Sequence, residues 1–406
     1  MSFNIALTGL NAANEDLSVT SNNLANVATV GFKGSRTEFA DLFASTAQGA
    51  AADASGNGVE VSEVAQQFTQ GNIETTGNTL DMAVSGNGFF IVSNNGALNY
   101  TRDGEFQLNN DGQVVTASGQ LLQGYPPLAN GTFNTGGLSN ITLTTNESQP
   151  QATSTASITA NLSADATPPA DAPFSATDPN SYNNTTSLTV YDSLGAAHTA
   201  SLYFINTAPN DWEVQLTVDG NAVGTPQALT YSQTGQLLTP ANGQVAFPAY
   251  QPATGANAMN MTFDFSNTTQ YGGNFGVTAV QQNGYTTGQL TGINISQTGV
   301  VQAQFTNGNS VNLGQVALAN FENPQGLAQL GNASWAATNA SGAAVNGIAG
   351  NSGFGSIQSG SLEESNVDTT SALVEMITAQ RDFQANAQMI QTEDQVTQSI
   401  IDIRGS

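Results

Sequence analysis

FNIALTGLNAANEDLSVTSNNLANVA, residues 3–28, is the stretch that decides the fold at the ends of this chain. Its large apolar side chains recur at spacings of three, four and seven residues, at Phe3, Leu7, Leu10, Leu17 and Leu24. This period predicts an amphipathic α-helix over residues 1–28 with a narrow apolar seam. A seam of that width is typical of a helix that packs on another helix, so this stretch needs a helical partner.

A second helix is predicted at the other end, from Asp368 to about residue 403, where neither Gly nor Pro occurs. Asp368 is expected to cap its N-terminus, because a carboxylate there accepts hydrogen bonds from free backbone N–H groups. Its apolar stripe consists of Leu373, Met376, Ile377, Phe383, Ile390 and Ile400. Two helices alone bury little surface, so we expect neighbouring copies of the chain to complete both seams.

The charge balance excludes several classes of function. The 406 residues carry a formal net charge of −25 and only five Lys and Arg, none of them between Arg102 and Arg381. Nucleic acids and anionic membrane surfaces both require a basic patch, so neither is an expected partner. No apolar run reaches the roughly 18 residues of a membrane-spanning helix, so no membrane insertion is expected. The first residues lack the pattern of a secretory leader, so a chain that leaves the cell is expected to do so by a route without a cleaved signal peptide.

The sequence between the two helices has the alternation and the turn signals of β-structure. Tight hairpin turns are predicted at Asn95-Gly96, Asp219-Gly220 and Asn307-Gly308. The predicted fold class is mainly β with a terminal α-helical coiled coil. Its β domains are nested and discontinuous, with an outer β-barrel or sandwich inserted in an inner β domain.

This nesting predicts four parts: a terminal helical coiled-coil domain (1–30 plus 365–406), an extended connector (31–72), an inner β domain (73–145 plus 285–364) and an inserted outer β domain (146–284). The Pro-rich start of the insert, residues 146–183, is interpreted as a boundary or a long loop.

Catalysis and metal binding find no support in the sequence. His198 is the only histidine, and we interpret it as a surface or turn residue. With one His and no Cys, a zinc site is not expected. Residues 109–112, NNDG, resemble part of a calcium loop but lack its twelfth-position ligand, so a hairpin turn is the preferred interpretation. The chain is expected to be no enzyme and to hold no metal and no cofactor.

Three parts of the sequence resemble one known family. They are SNNLANVATVGFK at 21–33, LDMAVSGNGFF at 80–90, and LEESNVD at 362–368 together with QRDFQANA at 380–387. These segments are similar to the signatures of the bacterial flagellar rod and hook proteins, although Phe383 stands where family members often carry Tyr. The resemblance marks as family positions Asn22, Asn23, Asn26, Gly31, Phe32, Gly86, Gly88, Phe89, Asn366, Gln380, Arg381 and Asn386.

The inserted β domain is similar to the hook-type members of that family and sets the chain apart from the shorter rod proteins. The resemblance implies an extracellular structural subunit of a curved hollow tube, a universal joint that transmits torque from motor and rod to filament. The implied partners are other copies of the chain, rod proteins below, hook–filament junction proteins above, and the hook cap and flagellar type III export apparatus during assembly. The alternatives are a distal rod protein and, further away, a secreted surface or adhesin β-protein.

Two properties of such a polymer follow as hypotheses. The terminal helices are expected to be unfolded or frayed in the monomer and to order on assembly. Because the segment 146–284 contains no Lys and no Arg, neighbouring outer domains cannot form ordinary ion pairs. We expect polar, water-bridged contacts that let these domains slide.

Overall fold

The computed structural model describes residues 2–43, 56–128, 131–143 and 147–405. Helix α1 spans Ser2–Ala25 and helix α2 spans Thr369–Gly405, with β-structure between them. This confirms the predicted mainly β class with helical ends. The chain forms two compact units: the first is Met1–Thr144, Ile293–Ala303 and Val311–Ser406, and the second is Thr145–Gly292 and Gln304–Ser310. In the described part of the chain, no helix combines the length and apolar character that crossing a bilayer requires.

The two helices begin and end close to the predicted residues. Helix α1 ends at Ala25 rather than at residue 28. The Asn26 N–H donates one more helical hydrogen bond, to the carbonyl of Asn22. Asn side chains compete for backbone groups, which explains the early end. Asp368 caps α2 as predicted, since its Oδ1 accepts a hydrogen bond from the Ser371 N–H at 2.7 Å.

A β-hairpin follows helix α1. Strand β1 (Ser35–Phe43) pairs antiparallel with β2 (Gly56–Gln66), and both strands pack against α1. The structure therefore differs from the extended connector predicted over residues 31–72. The apolar residues that look scattered in the sequence meet across the two strands, as Phe39 and Val61 do, and the tip of the hairpin lies outside the described residues.

The remaining strands follow in chain order. Those before the insert are β3 (Ile73–Thr75), β4 (Met82–Ser85), β5 (Phe89–Asn94), β6 (Ala97–Thr101), β7 (Phe106–Leu108), β8 (Val114–Thr116), β9 (Leu121–Tyr125) and β10 (Ser139–Asn140). The insert contributes β11 (Thr155–Ser163), β12 (Asn184–Tyr191), β13 (Ala197–Ala208), β14 (Asp211–Val218), β15 (Asn221–Tyr231), β16 (Leu237–Thr239), β17 (Gln244–Ala246), β18 (Thr262–Asp264), β19 (Thr269–Tyr271) and β20 (Gly276–Gln282). The last are β21 (Leu290–Ile295), β22 (Val300–Phe305), β23 (Ser310–Asn320), β24 (Ala328–Gly331), β25 (Ser334–Ala336), β26 (Val345–Ile348), β27 (Ser356–Ser359) and β28 (Ser361–Glu363).

One large sheet joins strands from both ends of the sequence. Its main path runs β21-β22-β23-β9-β5-β6-β25-β24, and β7, β8, β10 and β26 pair along it. Strand β5 is buried on both faces, because Phe90 and Val92 enter one apolar cluster while Phe89 and Ile91 enter another. Two short pairs, β4 with β27 and β3 with β28, bring the segment before α2 back to the early strands.

The second unit contains two five-stranded sheets. One is the meander β12-β13-β14-β15-β16, and the other runs β17-β18-β11-β19 with β20 paired to β11. Both sheets contribute to one apolar core, for example Phe204 and Trp212 from the first and Ile158 and Phe263 from the second. This packing of two sheets is a β-sandwich.

The Pro-rich segment 146–183 is not a long loop throughout. It contains β11, whose residues alternate between buried and half-buried positions. Four small or medium apolar residues point inward, namely Ala156, Ile158, Ala160 and Leu162. The surrounding Ala, Thr and Ser hide this period-two pattern in the sequence, and its strand character is visible only once its partner strands are known.

Candidate assembly site at the terminal helices

A buried charge cluster joins the three family-like segments. The Glu363 carboxylate accepts a hydrogen bond from Lys33 Nζ at 2.6 Å and another from Arg102 Nη1 at 3.0 Å. The side chains of Lys33 and Glu363 are 1% and 0% exposed. The Gly71 N–H also donates to the carboxylate, at 2.9 Å, and Lys33 donates to the Thr69 carbonyl, at 2.8 Å. A buried carboxylate held by two cations and a backbone N–H fixes the start of the hairpin against the segment that precedes α2.

The two cations sit in an environment that disfavours their charge. Burial lowers the pKa of the Lys33 ammonium, while the carboxylate of Glu363 raises it in part. Burial likewise lowers the pKa of the Arg102 guanidinium, and the charge and hydrogen bond of Glu363 raise it in part. Arg102 further donates to the carbonyl of Gly86 at 2.7 Å, and its guanidinium carbon lies 5.4 Å from the ring centre of Phe89.

Three family-like glycines, Gly31 after helix α1 and Gly86 and Gly88 between strands β4 and β5, have positive φ angles. Gly31 has φ +67°, and its N–H donates to the Glu363 carbonyl at 2.8 Å. A Cβ at Gly31 would collide with the backbone nitrogen of Asp103. Gly86 and Gly88 have φ +108° and φ +125°. These positions require Gly because L side chains rarely adopt such angles.

Two asparagines tie the ends of the helices to the hairpin. Asn23 Nδ2 donates to the Ser35 carbonyl at 2.7 Å, and its Oδ1 accepts from the Ser35 N–H at 2.9 Å. Asn366 Oδ1 accepts from the Gly34 N–H at 2.8 Å, and its Nδ2 donates to the Gln67 carbonyl at 2.6 Å. The amide group suits both places because it donates and accepts at once.

The other family positions differ in their surroundings. Asn26 Nδ2 donates to the Asn22 carbonyl at 2.9 Å, and Phe32 is half-buried. Gln380 and Arg381 are exposed on α2. The Asn386 side chain lies against α1 at Gly9, where a Cβ would stand 2.6 Å from the Asn386 Oδ1.

The buried residues of the two helices are mostly small. They are Ala6, Ala12, Ala13, Thr20 and Asn23 on α1 and Ala372 and Ala379 on α2. The helices pack on each other within the chain, and small side chains let their backbones approach closely. None of the large residues of the predicted seams is among the fully buried residues.

The structure leaves every predicted seam residue at least partly accessible. Exposed members, with their exposed fractions, are Phe3 (43%), Leu7 (39%), Leu373 (44%), Ile377 (49%) and Ile400 (59%). Half-buried members are Leu10, Leu17, Leu24, Met376, Phe383 and Ile390. These accessible apolar residues on two neighbouring helices are the candidate contact surface of the chain.

The interpretation of His198 as a surface or turn residue is wrong. It lies in β13, is 7% exposed, and bridges two carboxylates. Its Nδ1 is 2.6 Å from Asp219 Oδ2, and its Nε2 is 3.2 Å from Asp192 Oδ2. Burial lowers the pKa of the imidazole, but the hydrogen bonds to Asp219 and Asp192 raise it by a larger amount. The pKa of His198 therefore lies above its ordinary value. Residues 109–112 do form the preferred turn, with Asn109 Oδ1 accepting from the Asp111 N–H.

Sequence reasoning assigned no role to Lys33, Arg102 and Glu363. Lys33 and Glu363 lie inside the family-like segments, and a chain with five cations offers few other partners for a buried carboxylate. That scarcity is the one signal that could have indicated the cluster, although it does not show which carboxylate the cations meet.

Comparison with protein families matches four parts of the chain. The models described as "Flagella basal body rod protein" and "Flagellar basal body rod FlgEFG protein C-terminal" match residues 3–33 and 358–403. The models described as "Flagellar hook protein FlgE/F/G D1 domain" and "Flagellar basal body protein FlaE D2 domain" match residues 83–161 and 159–285.

Full-length relatives share one description. The chain is 40% identical over 414 residues to "Flagellar hook protein FlgE" of Escherichia coli (strain K12), with 100% of both chains covered. It is 39% identical over 415 residues to the protein of the same name from Salmonella typhimurium, again with 100% of both covered. The chain belongs to the flagellar hook protein family. This hook-family chain is a structural subunit of the flagellar hook and not an enzyme, and the distal rod alternative is not favoured.

A solved structure has the same fold. The crystal structure of Helicobacter pylori flagellar hook protein FlgE2 is similar with a TM-score of 0.52 and 14% identity, and the match covers 70% of this chain and 99% of that chain. The full-length relatives, rather than this structure, confirm the family resemblance stated from the sequence.

Proposed function

We propose that copies of this chain polymerise through the accessible apolar residues of α1 and α2 into a curved hollow tube that acts as a universal joint. One observation carries the proposal. The two helices use small residues to pack on each other within the chain and leave their large apolar residues accessible. Water contact with so many apolar side chains is unfavourable, so other copies covering them would stabilise an assembly.

The proposed polymerisation interface consists of the predicted seam residues: Phe3, Leu7, Leu10, Leu17 and Leu24 on α1, and Leu373, Met376, Ile377, Phe383, Ile390 and Ile400 on α2. The buried cluster around Glu363 serves this interface indirectly. It fixes the segment before α2 against the start of the hairpin, and so holds each helix in place at one end.

The proposed setting is the outside of the cell, where the tube joins the rod to the filament. The chain is exported by the flagellar type III apparatus and assembles under the hook cap. Rod proteins lie below the tube and hook–filament junction proteins above it. Membership of the hook protein family supports these partners, and each of them is a separate part of the proposal.

The tube must bend while it turns, and the composition of the outer domain supports that motion. With no Lys or Arg between Arg102 and Arg381, outer domains of adjacent copies meet through polar, water-bridged contacts with shallow energy minima. A structure of the assembled hook with dry apolar contacts between neighbouring 146–284 segments would contradict this part.

The experiment is seeded polymerisation of the purified chain, followed by sedimentation and electron microscopy. The natural chain should form tubes. The double variant Leu373→Gln, Ile377→Gln should stay in the supernatant, because Gln preserves helix propensity and removes the apolar surface. The control is Leu238→Gln, which removes an apolar residue that is even more exposed (56%) from the second unit and should assemble normally. Assembly of the double variant at the natural concentration would refute the proposed interface.

Circular dichroism tests whether the helices order on assembly. The helix content should rise from monomer to polymer if α1 and α2 are frayed in the free chain. Equal helix content in both states would contradict that hypothesis and would leave the polymerisation proposal intact.

A further inference from the structure

Helix α2 carries an exposed patch on the side that faces away from its buried alanines. Ala372 and Ala379 are buried, whereas Val374 (60% exposed) and Ile377 (49%) are not. The exposed Arg381 follows Ile377 by four residues and Val374 by seven, so these three side chains share one face. A step of two residues turns a helix by about 200°, which places this patch opposite the alanine row.

Arg381 differs from the other described cations of the chain. Lys33 and Arg102 share the carboxylate of Glu363, and Arg36 pairs with Glu38 at 2.7 Å. Within the described residues, Arg381 forms no ion pair with its own chain. In a chain with net charge −25 and five Lys and Arg, an exposed guanidinium next to two exposed apolar side chains is a specific feature of this surface.

Helix α1 of a second copy has the complementary chemistry. It carries Glu15 and Asp16 and no Lys or Arg. Glu15 is exposed, and so are the apolar residues Phe3 and Leu7. Asp16 is half-buried and faces α2 of its own chain, so Glu15 is the freer carboxylate of the two.

We propose that Arg381 forms an ion pair with Glu15 on helix α1 of a second copy, which at the same time covers Val374 and Ile377. This inference rests on the proposed polymerisation and adds its register and orientation. Docking that placed Arg381 against another apolar surface would leave a desolvated charge without a partner, which is strongly unfavourable. The planar guanidinium also fits a carboxylate through two parallel hydrogen bonds, which fixes orientation.

The test compares two variants that change the net charge equally. Arg381→Gln removes the proposed intermolecular pair, whereas Arg36→Gln removes an exposed cation that is already paired within its own hairpin. In seeded polymerisation, Arg381→Gln should raise the critical concentration about tenfold, which corresponds to about 1.4 kcal/mol. Arg36→Gln should leave it within about twofold. An unchanged value for Arg381→Gln, or an equal rise for both variants, would overturn the proposal.

A charge exchange identifies the partner. Arg381→Glu and Glu15→Arg, each alone, should abolish tubes, because each brings like charges together in every interface of the polymer. The chain that carries both changes should assemble again, since the pair is restored in reverse. Failure of that double variant, with monomer circular dichroism unchanged, would refute pairing with Glu15. Tubes of the natural chain in the same experiment test the proposed function separately, so the two failures are distinguishable.

Discussion

Lys33 Nζ lies 2.6 Å from the Oε1 of Glu363, although 330 residues separate the two in the chain. Lys33 follows helix α1 and Glu363 precedes helix α2, so this one contact joins the two ends of the sequence. Arg102, which directly follows strand β6, binds the other oxygen of the same carboxylate at 3.0 Å.

Removing this carboxylate should destabilise the first unit strongly. Glu363→Gln leaves two buried cations without their counter-charge, and we expect it to lower the free energy of unfolding by about 3–5 kcal/mol. Denaturant unfolding followed by the fluorescence of Trp335 measures the change. A Trp212→Phe background leaves Trp335, which is buried in this unit, as the single tryptophan.

The neighbouring carboxylate is the control for that variant. Glu364 is exposed and accepts a hydrogen bond from Asn72 at 3.2 Å, so Glu364→Gln should cost less than about 0.5 kcal/mol. Equal effects of the two substitutions would contradict the role assigned to Glu363.

Alanine at Gly31 should be more costly than alanine at Gly77, a glycine with a similar positive φ angle. Gly31→Ala adds a collision with the backbone of Asp103 to the strain of φ +67°, and we expect a loss of about 3 kcal/mol. Gly77 has φ +78° and open space around its Cβ position, so Gly77→Ala should cost only about 1–2 kcal/mol. The same Trp335 assay compares them, and similar losses would show that the close approach at Gly31 is unimportant.

The stability of the second unit should depend on pH through His198. Its pKa is raised above the ordinary 6.5, so the stabilisation is fully present below about pH 6.5 and is lost as the pH rises through the raised value. At acid pH the relevant group is Asp192. Burial raises the pKa of its carboxyl group, but hydrogen bonds from Thr254, His198 and two backbone N–H groups lower it by more, so that the pKa lies at about 2. That contribution is present above the ordinary 3.8 and is lost as the pH falls towards about 2.

Substitution of the histidine isolates the alkaline part of this profile. His198→Gln should lower stability by about 2 kcal/mol at pH 6, because it removes hydrogen bonds between charged groups, and should flatten the decline at higher pH. The fluorescence of Trp212, buried in the second unit, reports the unfolding in a Trp335→Phe background. An unchanged alkaline slope in the variant would assign the pH dependence to other groups.

Salt should stabilise the proposed polymer. Each copy carries a net charge of −25, and the charges of neighbouring copies repel over a screening length of about 30 Å at 0.01 M salt but only about 10 Å at 0.1 M. The critical concentration for seeded polymerisation should therefore fall between these two salt concentrations. A constant or rising critical concentration would rule out repulsion between copies as a significant term.

The features that the sequence predicted well are those fixed by residues close together in the chain. The apolar period predicted both terminal helices, Asp368 predicted the cap of α2, and Asn95-Gly96 predicted the hairpin turn between β5 and β6. Each depends on backbone geometry over a few residues, which side-chain periodicity reports directly. The hairpin at residues 35–66 and strand β11 were missed, because their pattern becomes meaningful only against partner strands far along the chain.

By itself, then, the sequence determined the helical ends, the β interior, the acidic surface and the resemblance to the flagellar rod and hook proteins. Only the tertiary structure decided that Glu363 takes both Lys33 and Arg102 and that His198 lies between Asp192 and Asp219. It also decided that the fully buried residues of α1 and α2 are mostly alanines, while the leucines of the predicted seams stay partly accessible. The physical reason is that charge pairing and helix approach depend on which surfaces meet. That meeting is set by packing across the whole chain, and short-range periodicity carries no record of it.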